Sequence, residues 1–568
     1  MKNFSIAGLL VAVGCLASCG GAFGDAPGSG SSDGGSSDQT NGGGTDSGGG
    51  GGSKLDGGSV DPGPTFSFVQ ADGPVYVRQG QPISVTINIA RGITPGTDIT
   101  IRATSWPDGV SVGSLTIPPG QSTGKLAITV DESIPQGELK DDLVLQGLAD
   151  GATVAVPMDL KLFVRGAPGT LDPTFGSNGI YEDLTEYANV YTVVSQSDGK
   201  ILIGAWNTDW ATSAVIRLKA DGSVDSTLTD SSIQKISGQL GNVTADANGR
   251  IVTSDVLATT INRYKANGAP DTTLFNANSS PPIPDNWVSF FPYAVVVDQD
   301  GSIYAGGETT FLNNNGFYTR EYSFLQIATN EQGRMPGCSG SWDNANYQYI
   351  TKLSLLPTGA LAFAGIDTKV DFTGNVGVGV GRSPQPQSPC DLDLNYGDKG
   401  IWHSTDWQIL GDAFFEIDGS VDLLVGSTST TPGVYSLVHI DPTGKQTANV
   451  ESPLVCYGYT YGIYFCSITR APEPDRRYLV AGQLQPAGND SMAVVYYKSD
   501  LTPDTSIGDQ GSGIVNIPVH TALTNSTGVG LRAVYMPDGE RTVVVGSISG
   551  VTATNATVAH LVVARIWN

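Results

Sequence analysis

The run Tyr191-Thr192-Val193-Val194-Ser195-Gln196-Ser197-Asp198-Gly199-Lys200-Ile201-Leu202-Ile203-Gly204 decides the fold. Two apolar stretches of strand length flank Asp198-Gly199. Asp and Gly tolerate the positive φ of a tight hairpin, so the segment predicts two antiparallel strands. The arrangement returns with turns at Asn248-Gly249, Asp300-Gly301, Thr358-Gly359, Asp418-Gly419 and Asp538-Gly539, and in degenerate form from Arg470 to Gly482, where Pro474-Asp475 replaces the Gly turn. That makes seven copies, spaced by 50 to 63 residues.

A second signature follows the hairpins. It reads Val215-Ile216-Arg217-Leu218-Lys219-Ala220-Asp221-Gly222-Ser223-Val224-Asp225 in the first unit and Arg263-Tyr264-Lys265-Ala266-Asn267-Gly268-Ala269-Pro270-Asp271 in the next. Later units carry His439 to Gly444, Tyr496-Tyr497-Lys498-Ser499-Asp500 and Ala564-Arg565-Ile566-Trp567-Asn568. A third signature, Leu171-Asp172-Pro173-Thr174-Phe175-Gly176-Ser177-Asn178-Gly179, opens the first unit. It returns as Leu392-Asp393-Leu394-Asn395-Tyr396-Gly397-Asp398-Lys399-Gly400 and more loosely from Thr502 to Gly511.

Together the three signatures resemble the delta-60 repeat family, whose units read Leu-Asp-x-x-Phe-Gly, then Pro-Asp-Gly-Lys-Ile-x-Val-x-Gly, then Arg-x-x-x-Asp-Gly-x-x-Asp. The resemblance covers about Leu171 to Asn568, is strongest in the first unit and weakens near Asn313 and Pro384. It implies a β-propeller. The pattern alone agrees, because four short strands with tight turns in 50 to 60 residues make one blade. Seven blades close a ring and leave no long exposed sheet edge, whereas the same repeats in an open array leave two.

The rest of the chain is read outward from this block, residues 167–568. Residues 65–166 carry short alternating runs, Ile83 to Ile89, Asp98 to Ile101, Leu126 to Val130 and Val154 to Val164, divided at Pro107-Asp108-Gly109, Pro118-Pro119-Gly120 and Ala149-Asp150-Gly151. Period-two alternation of this kind predicts an immunoglobulin-like β-sandwich, here without cysteine. The expected class is therefore all-β, a sandwich followed by a seven-bladed propeller. The 74 Gly and 32 Pro among 568 residues fit that class, since both are poor helix formers.

Residues 1–18 read as an export signal. Lys2 precedes an apolar run from Phe4 to Leu16, too short to span a bilayer. Leu16-Ala17-Ser18-Cys19 resembles a bacterial lipobox, which implies that Cys19 becomes the acylated first residue of the mature chain. Gly20 takes the place of the Asp that retains many lipoproteins at the inner membrane, so the resemblance implies the outer membrane, facing the cell exterior or the periplasm. Residues 19–64 then form a lipidated flexible linker. From Gly20 to Pro64, 18 of 45 residues are Gly, 8 Ser and 6 Asp, and such a coil spans roughly 35 to 40 Å.

The composition also excludes functions. Thirty basic residues against 55 acidic give a net charge of −25, which opposes phosphate backbones, so nucleic acid is not an expected partner. Cys338, Cys390, Cys456 and Cys466 are an even set in an exported chain and predict two disulfides. Joining 338 to 390 and 456 to 466 needs the least backbone travel. No metal site is expected: no Cys-x-x-Cys occurs, and Asp391-Leu392-Asp393-Leu394-Asn395 lacks the Gly and the Glu of a calcium loop.

No catalytic residues and no cofactor are expected. His403, His439, His520 and His560 are scattered, and His439 stands where other units have Arg217, Arg263 and Arg565. Trp206, Trp210, Trp342, Trp402 and Trp407 fall in what reads as irregular connections. Trp206 and Trp210 are the candidate platform for a cell-surface polysaccharide or protein. The expected function is non-catalytic binding, adhesion or scaffolding. A polysaccharide-acting enzyme with paired carboxylates in the propeller funnel is the alternative.

Overall fold

The computed structural model describes residues 66–69, 74–91, 97–149, 152–153, 157–184, 187–207, 211–228, 235–256, 259–273, 287–312, 318–327, 337–340, 347–368, 374–381, 392–398, 400–404, 406–427, 435–459, 463–471, 477–484, 491–508, 511–518, 524–552 and 557–568. The chain divides into one unit ending at Arg165 and another beginning at Gly166.

In the first unit the expected alternation is present. Along Ile83–Arg91, Ile87 and Ile89 are buried while Asn88 between them is exposed. That strand lies between Phe66–Val69 and Thr123–Val130 in a four-stranded antiparallel sheet, and Ile99–Ser105 pairs with Leu143–Ala149 and Leu115–Ile117 in a second. Ile101, Ile117, Leu126, Ile128 and Leu145 from both sheets share one core. The run Val154 to Val164 differs from expectation. Met158–Leu160 pairs with Leu143–Ala149, whereas Leu162–Arg165 runs parallel to Val75–Arg78, so the chain changes partner at Lys161.

The second unit is a succession of antiparallel sheets. Asn189–Ser195, Ile201–Trp206, Thr212–Leu218 and Ile236–Ser237 form the first in sequence order, and the next begins at Leu240–Ala245. Further sheets begin at Trp287–Val297, Tyr347–Leu355 and Ile409–Phe415, and the sixth contains Ser467–Arg470. The last joins Thr524–Tyr535, Arg541–Val551 and Thr557–Trp567 to the distant Ile180–Leu184. The leading strand of each sheet packs against that of the next, and Thr524–Tyr535 packs against Asn189–Ser195.

The hairpin turns explain why one sequence signature recurs. In the first, the Gly199 amide donates to the Gln196 carbonyl and the Gln196 amide to the Lys200 carbonyl; Asp246 to Arg250, Asp298 to Ser302, Leu356 to Ala360 and Glu416 to Ser420 repeat this. Gly199, Gly249, Gly301, Gly359 and Gly419 take φ of 74° to 90°, and the residue before each does not take a positive φ. Only Gly is conformationally required, as in a turn closed by a left-handed residue. Asp serves through its side chain instead. The Asp198 and Asp418 carboxylates accept the amides of Lys200 and Ser420, two residues on. Of the two residue types that tolerate a positive φ in each turn, the glycine alone adopts it.

The second signature builds a buried clamp. Arg217 Nε lies 2.9 Å from Asp225 Oδ2 as an ion pair whose angle falls short of a hydrogen bond. Asp225 Oδ1 accepts the Thr227 hydroxyl at 2.7 Å, and Arg217 Nη2 donates to the same hydroxyl at 2.9 Å. Arg217 Nη1 then reaches into the second sheet and donates to the Ala266 carbonyl at 2.6 Å. Arg263, Asp271 and Thr273 repeat the pattern. Burial opposes the charge on Asp225 and Asp271, but the Thr bonds and the paired Arg outweigh it and hold both carboxyls below their usual range.

The third signature belongs to the same device. Arg565 Nε donates to Asp172 Oδ2 at 2.8 Å and Nη2 to the Thr174 hydroxyl at 2.9 Å, while Nη1 donates to the Ala220 carbonyl of the first sheet. Leu171 to Gly179 therefore completes the last sheet instead of opening the first. Replacing Asp172 by Ala leaves a buried guanidinium unpaired and is expected to cost about 3–5 kcal/mol. Asp198→Ala, at an exposed turn, should cost less than about 1 kcal/mol. Urea unfolding of both variants is the measurement, and equal losses would refute the assignment.

Candidate functional site

Six leading strands carry a one-residue bulge at the same height. It falls between Val190 and Thr192, Leu240 and Asn242, Pro292 and Ala294, Ile350 and Lys352, Leu410 and Asp412, and Gly530 and Arg532. A bulge re-aims the residue that follows it. The six residues so placed are Thr192, Asn242, Ala294, Lys352, Asp412 and Arg532, all buried.

Their charges are directed at neighbouring sheets. Lys352 Nζ pairs with Asp412 Oδ1, and Asp412 Oδ2 accepts the Ile468 amide of the sixth sheet at 3.0 Å. Arg532 Nε donates to the Tyr191 carbonyl at 2.9 Å and Nη1 to the Cys466 carbonyl at 2.7 Å, tying the last sheet to both its neighbours. Thr192 and Asn242 keep side-chain polar atoms without partners among the described residues. The cluster can stitch sheets together, and its described acid is neutralised by an amine in contact with it.

In the sixth sheet the bulge is replaced by something larger. Val455 faces Gln483 and Ser467 faces Ala481, so eleven residues, Cys456 to Cys466, stand where other strands insert one. Among them Tyr457–Tyr459 pairs with Ile463–Phe465 as a separate two-stranded sheet. Cys456 and Cys466 are disulfide-bonded with Cα atoms 4.9 Å apart, closing the insertion at its base. A side chain added at Gly411 would lie 2.5 Å from Cys466 Sγ, which is why the neighbouring strand has glycine there.

Trp206 corrects an expectation. It ends the strand Ile201–Trp206, only 1% exposed, with its ring stacked 4.0 Å from that of Tyr191 and its Nε1 donating to the Leu240 carbonyl at 3.0 Å. The strand continues two residues further than the Gly204 boundary suggested, so Trp206 is core and not platform. Trp407 is likewise buried. Cys19, Trp210, Trp342, Cys390 and His520 lie outside the described residues; Cys338 sits opposite Phe324 in Gly337–Gly340.

Two titratable groups stand apart from the ring. His439 Nδ1 lies 2.7 Å from the buried Asp422 Oδ1, and that hydrogen bond raises the imidazole above its ordinary value. Glu308 is buried opposite Tyr322 and paired with Arg320 at 3.0 Å; burial outweighs the pairing and pushes its carboxyl up to about 7. Among the described residues no group of three or more His, Cys, Asp or Glu could hold a metal ion.

Residues 196–228 match a family described as "Domain of unknown function (DUF5122) beta-propeller". The segment spans the hairpin turn and the first clamp. The fold is a β-propeller. Solved structures similar to this chain include a protein of unknown function from Dyadobacter fermentans, 11% identical over 69% of this chain and 100% of its own, with a TM-score of 0.35. Polysaccharide lyase Uly1 is 8% identical over 67% and 90%, TM-score 0.37, and a regucalcin from Agrobacterium tumefaciens 10% identical over 68% and 92%, TM-score 0.30. Curated proteins offer no match.

Two measurements follow from these positions. Trp206→Ala is expected to destabilise by about 3–5 kcal/mol, because it opens a cavity beside Tyr191 and removes a buried hydrogen bond; an unchanged unfolding midpoint would place the indole at the surface. Glu308 binds its proton more tightly folded than unfolded, so its contribution is fully present below about pH 4.5 and is lost as pH rises towards about 7. Glu308→Gln should flatten stability across that window, by up to about 3 kcal/mol, and parallel curves for variant and wild type would exclude the shift.

Proposed function

We propose that the chain is an exported lipoprotein, anchored through Cys19 to the outer membrane, that carries an immunoglobulin-like sandwich and presents a seven-bladed propeller as a non-catalytic binding module. Residues 19–64 act as the tether. Seven blades are supported by the succession of leading strands, in which Thr524–Tyr535 returns to Asn189–Ser195. The observation that carries the binding reading is that Lys352, Asp412 and Arg532 bond to one another or to neighbouring backbone. Charges tied up this way hold the ring together and leave recognition to the connections.

Those connections have one natural rim. In up-and-down sheets the first-to-second and third-to-fourth connections share an end, and here most of the former are short and glycine-closed while the latter range from five residues between Ile440 and Gln446 to nineteen between Gly381 and Ile401. That end, where connections vary most in length, is where binding loops belong. Cys19→Ser should release the exported protein from the detergent-soluble membrane fraction or leave the signal uncleaved, since acyl chains make anchoring stable. Wild type that washes off in buffer would refute the anchor. Turnover of any cell-wall polysaccharide by the purified chain, abolished by Asp412→Asn, would overturn the non-catalytic reading in favour of an enzyme.

A further inference from the structure

The residues that follow the bulges form a chain of ties that runs only part of the way round. The sixth sheet has its own member of the set. Arg470 faces Tyr478 as Ser195 faces Ile201, so Ser467, opposite Ala481, is the counterpart of Thr192, opposite Gly204. From the fourth sheet onward each member reaches the next leading strand. Lys352 pairs with Asp412, Asp412 accepts the Ile468 amide, Ser467 Oγ accepts the Ala533 amide at 3.3 Å, and Arg532 donates to the Tyr191 carbonyl. The ties stop there. Thr192 and Asn242 make none among the described residues, and Ala294 has no polar side-chain atom to offer.

The untied stretch also holds unpaired polar atoms. Thr192 Oγ1, Asn242 Oδ1, Asn242 Nδ2 and Ser254 Oγ are buried without partners among the described residues. Asn242 and Ser254 face each other in register, so their side chains share one face of the second sheet. A Cβ added at Gly241 would lie 2.9 Å from Ser254 Oγ and 2.7 Å from the Pro292 carbonyl, which puts the Ser254 hydroxyl beside the third leading strand. A Cβ added at Gly204 would lie 2.6 Å from Thr192 Cγ2 and 2.9 Å from Val243 Cγ2, which puts Thr192 against the second. Buried polar atoms in this state have given up bonds to water without replacement, and native folds keep few of them.

We propose that the leading strands of the first three sheets hold a binding site for a small neutral polyol or monosaccharide, which supplies the ties that the side chains there do not. The amide of Asn242 decides the class. A cation leaves its Nδ2 donor unpaired and an anion leaves its Oδ1 acceptor unpaired, whichever way round the amide lies. A hydroxyl group can donate to one and accept from the other. Thr192 and Ser254 add two hydroxyls that serve in either role, so the three side chains call for a ligand with several hydroxyl groups. All three are shut from solvent, and entry therefore requires the untied strands to part, which makes binding slow for so small a ligand. The site is separate from the rim connections and does not depend on the binding reading given above.

The test uses the intact exported chain, dialysed free of sugars. Glycerol, myo-inositol, glucose and galactose are the probes, at about 10 mM, too dilute for the general stabilisation that concentrated polyols give by exclusion. At least one probe is expected to raise the melting temperature and to slow hydrogen exchange in the peptides covering 189–195 and 240–245. Asn242→Leu, close in shape, removes both unpaired amide atoms. It should keep or raise the melting temperature without probe and bind at least about tenfold more weakly. Thr192→Val is a second variant with the same expectation, so that misfolding of one leaves the other to read. A melting temperature that falls in both variants without probe means that these groups already have partners in the protein, and overturns the site. Affinity unchanged in both variants, protection confined to the connections, or no protection by any probe does the same. Protection by sodium chloride or sodium acetate in place of the sugars overturns the neutral class.

Discussion

The second unit depends on a buried arginine that faces two ways. Arg217, Arg263 and Arg565 each pair with an aspartate of the turn that follows in space, and Arg217 and Arg565 also bond to a turn carbonyl of the next sheet. A guanidinium has five donors in a fixed plane, so one residue can satisfy its own turn and define the spacing to its neighbour. Taking that charge out of water is costly, and the aspartate and threonine must both be present to offset it. Sheet-to-sheet geometry is thereby tied to a local sequence motif, which is how sheets of diverged sequence keep one pitch.

Much of this is legible in the chain. The Gly of each turn, and the Arg and Asp eight residues apart in the first two units, are visible as spacing. Asp172 is visible too, but local pattern places it in the wrong sheet, because its partner Arg565 is 393 residues away and no short-range signal reveals a long-range pair. The ring residues Thr192, Asn242, Ala294, Lys352, Asp412 and Arg532 escape sequence reasoning, although each stands seven positions before its turn glycine. A charge amid an apolar strand reads as noise until the bulge that re-aims it is known. Trp206 misleads because small residues at 204 and 205 look like a strand end, when the strand continues.

The sixth sheet shows how a repeat tolerates change. It lacks the turn glycine, carries Tyr496 where three other sheets have arginine, and draws Arg477, just before the strand Tyr478–Leu484, to pair with Asp504 at 3.0 Å. In the fifth sheet His439 turns instead to Asp422 on the adjacent strand. Each substitution keeps a buried carboxylate beside a cationic or protonatable partner while changing where that partner comes from. Position in the sheet, and not residue identity, is what the architecture conserves between copies.

The pairing of Ile180–Leu184 with Thr557–Trp567 carries a consequence for the order in which the molecule is made. During synthesis Ile180–Leu184 has no partner until the eleven-residue strand Thr557–Trp567 emerges, and the open flank of the first sheet has none until Thr524–Tyr535 does. Contacts so far apart in sequence are slow to form, because a long loop must close before anything is gained. For that interval the nascent unit exposes two unpaired edges to any other chain nearby. Such a unit is best kept unfolded until both partners of the seam are made, so that the seam closes once.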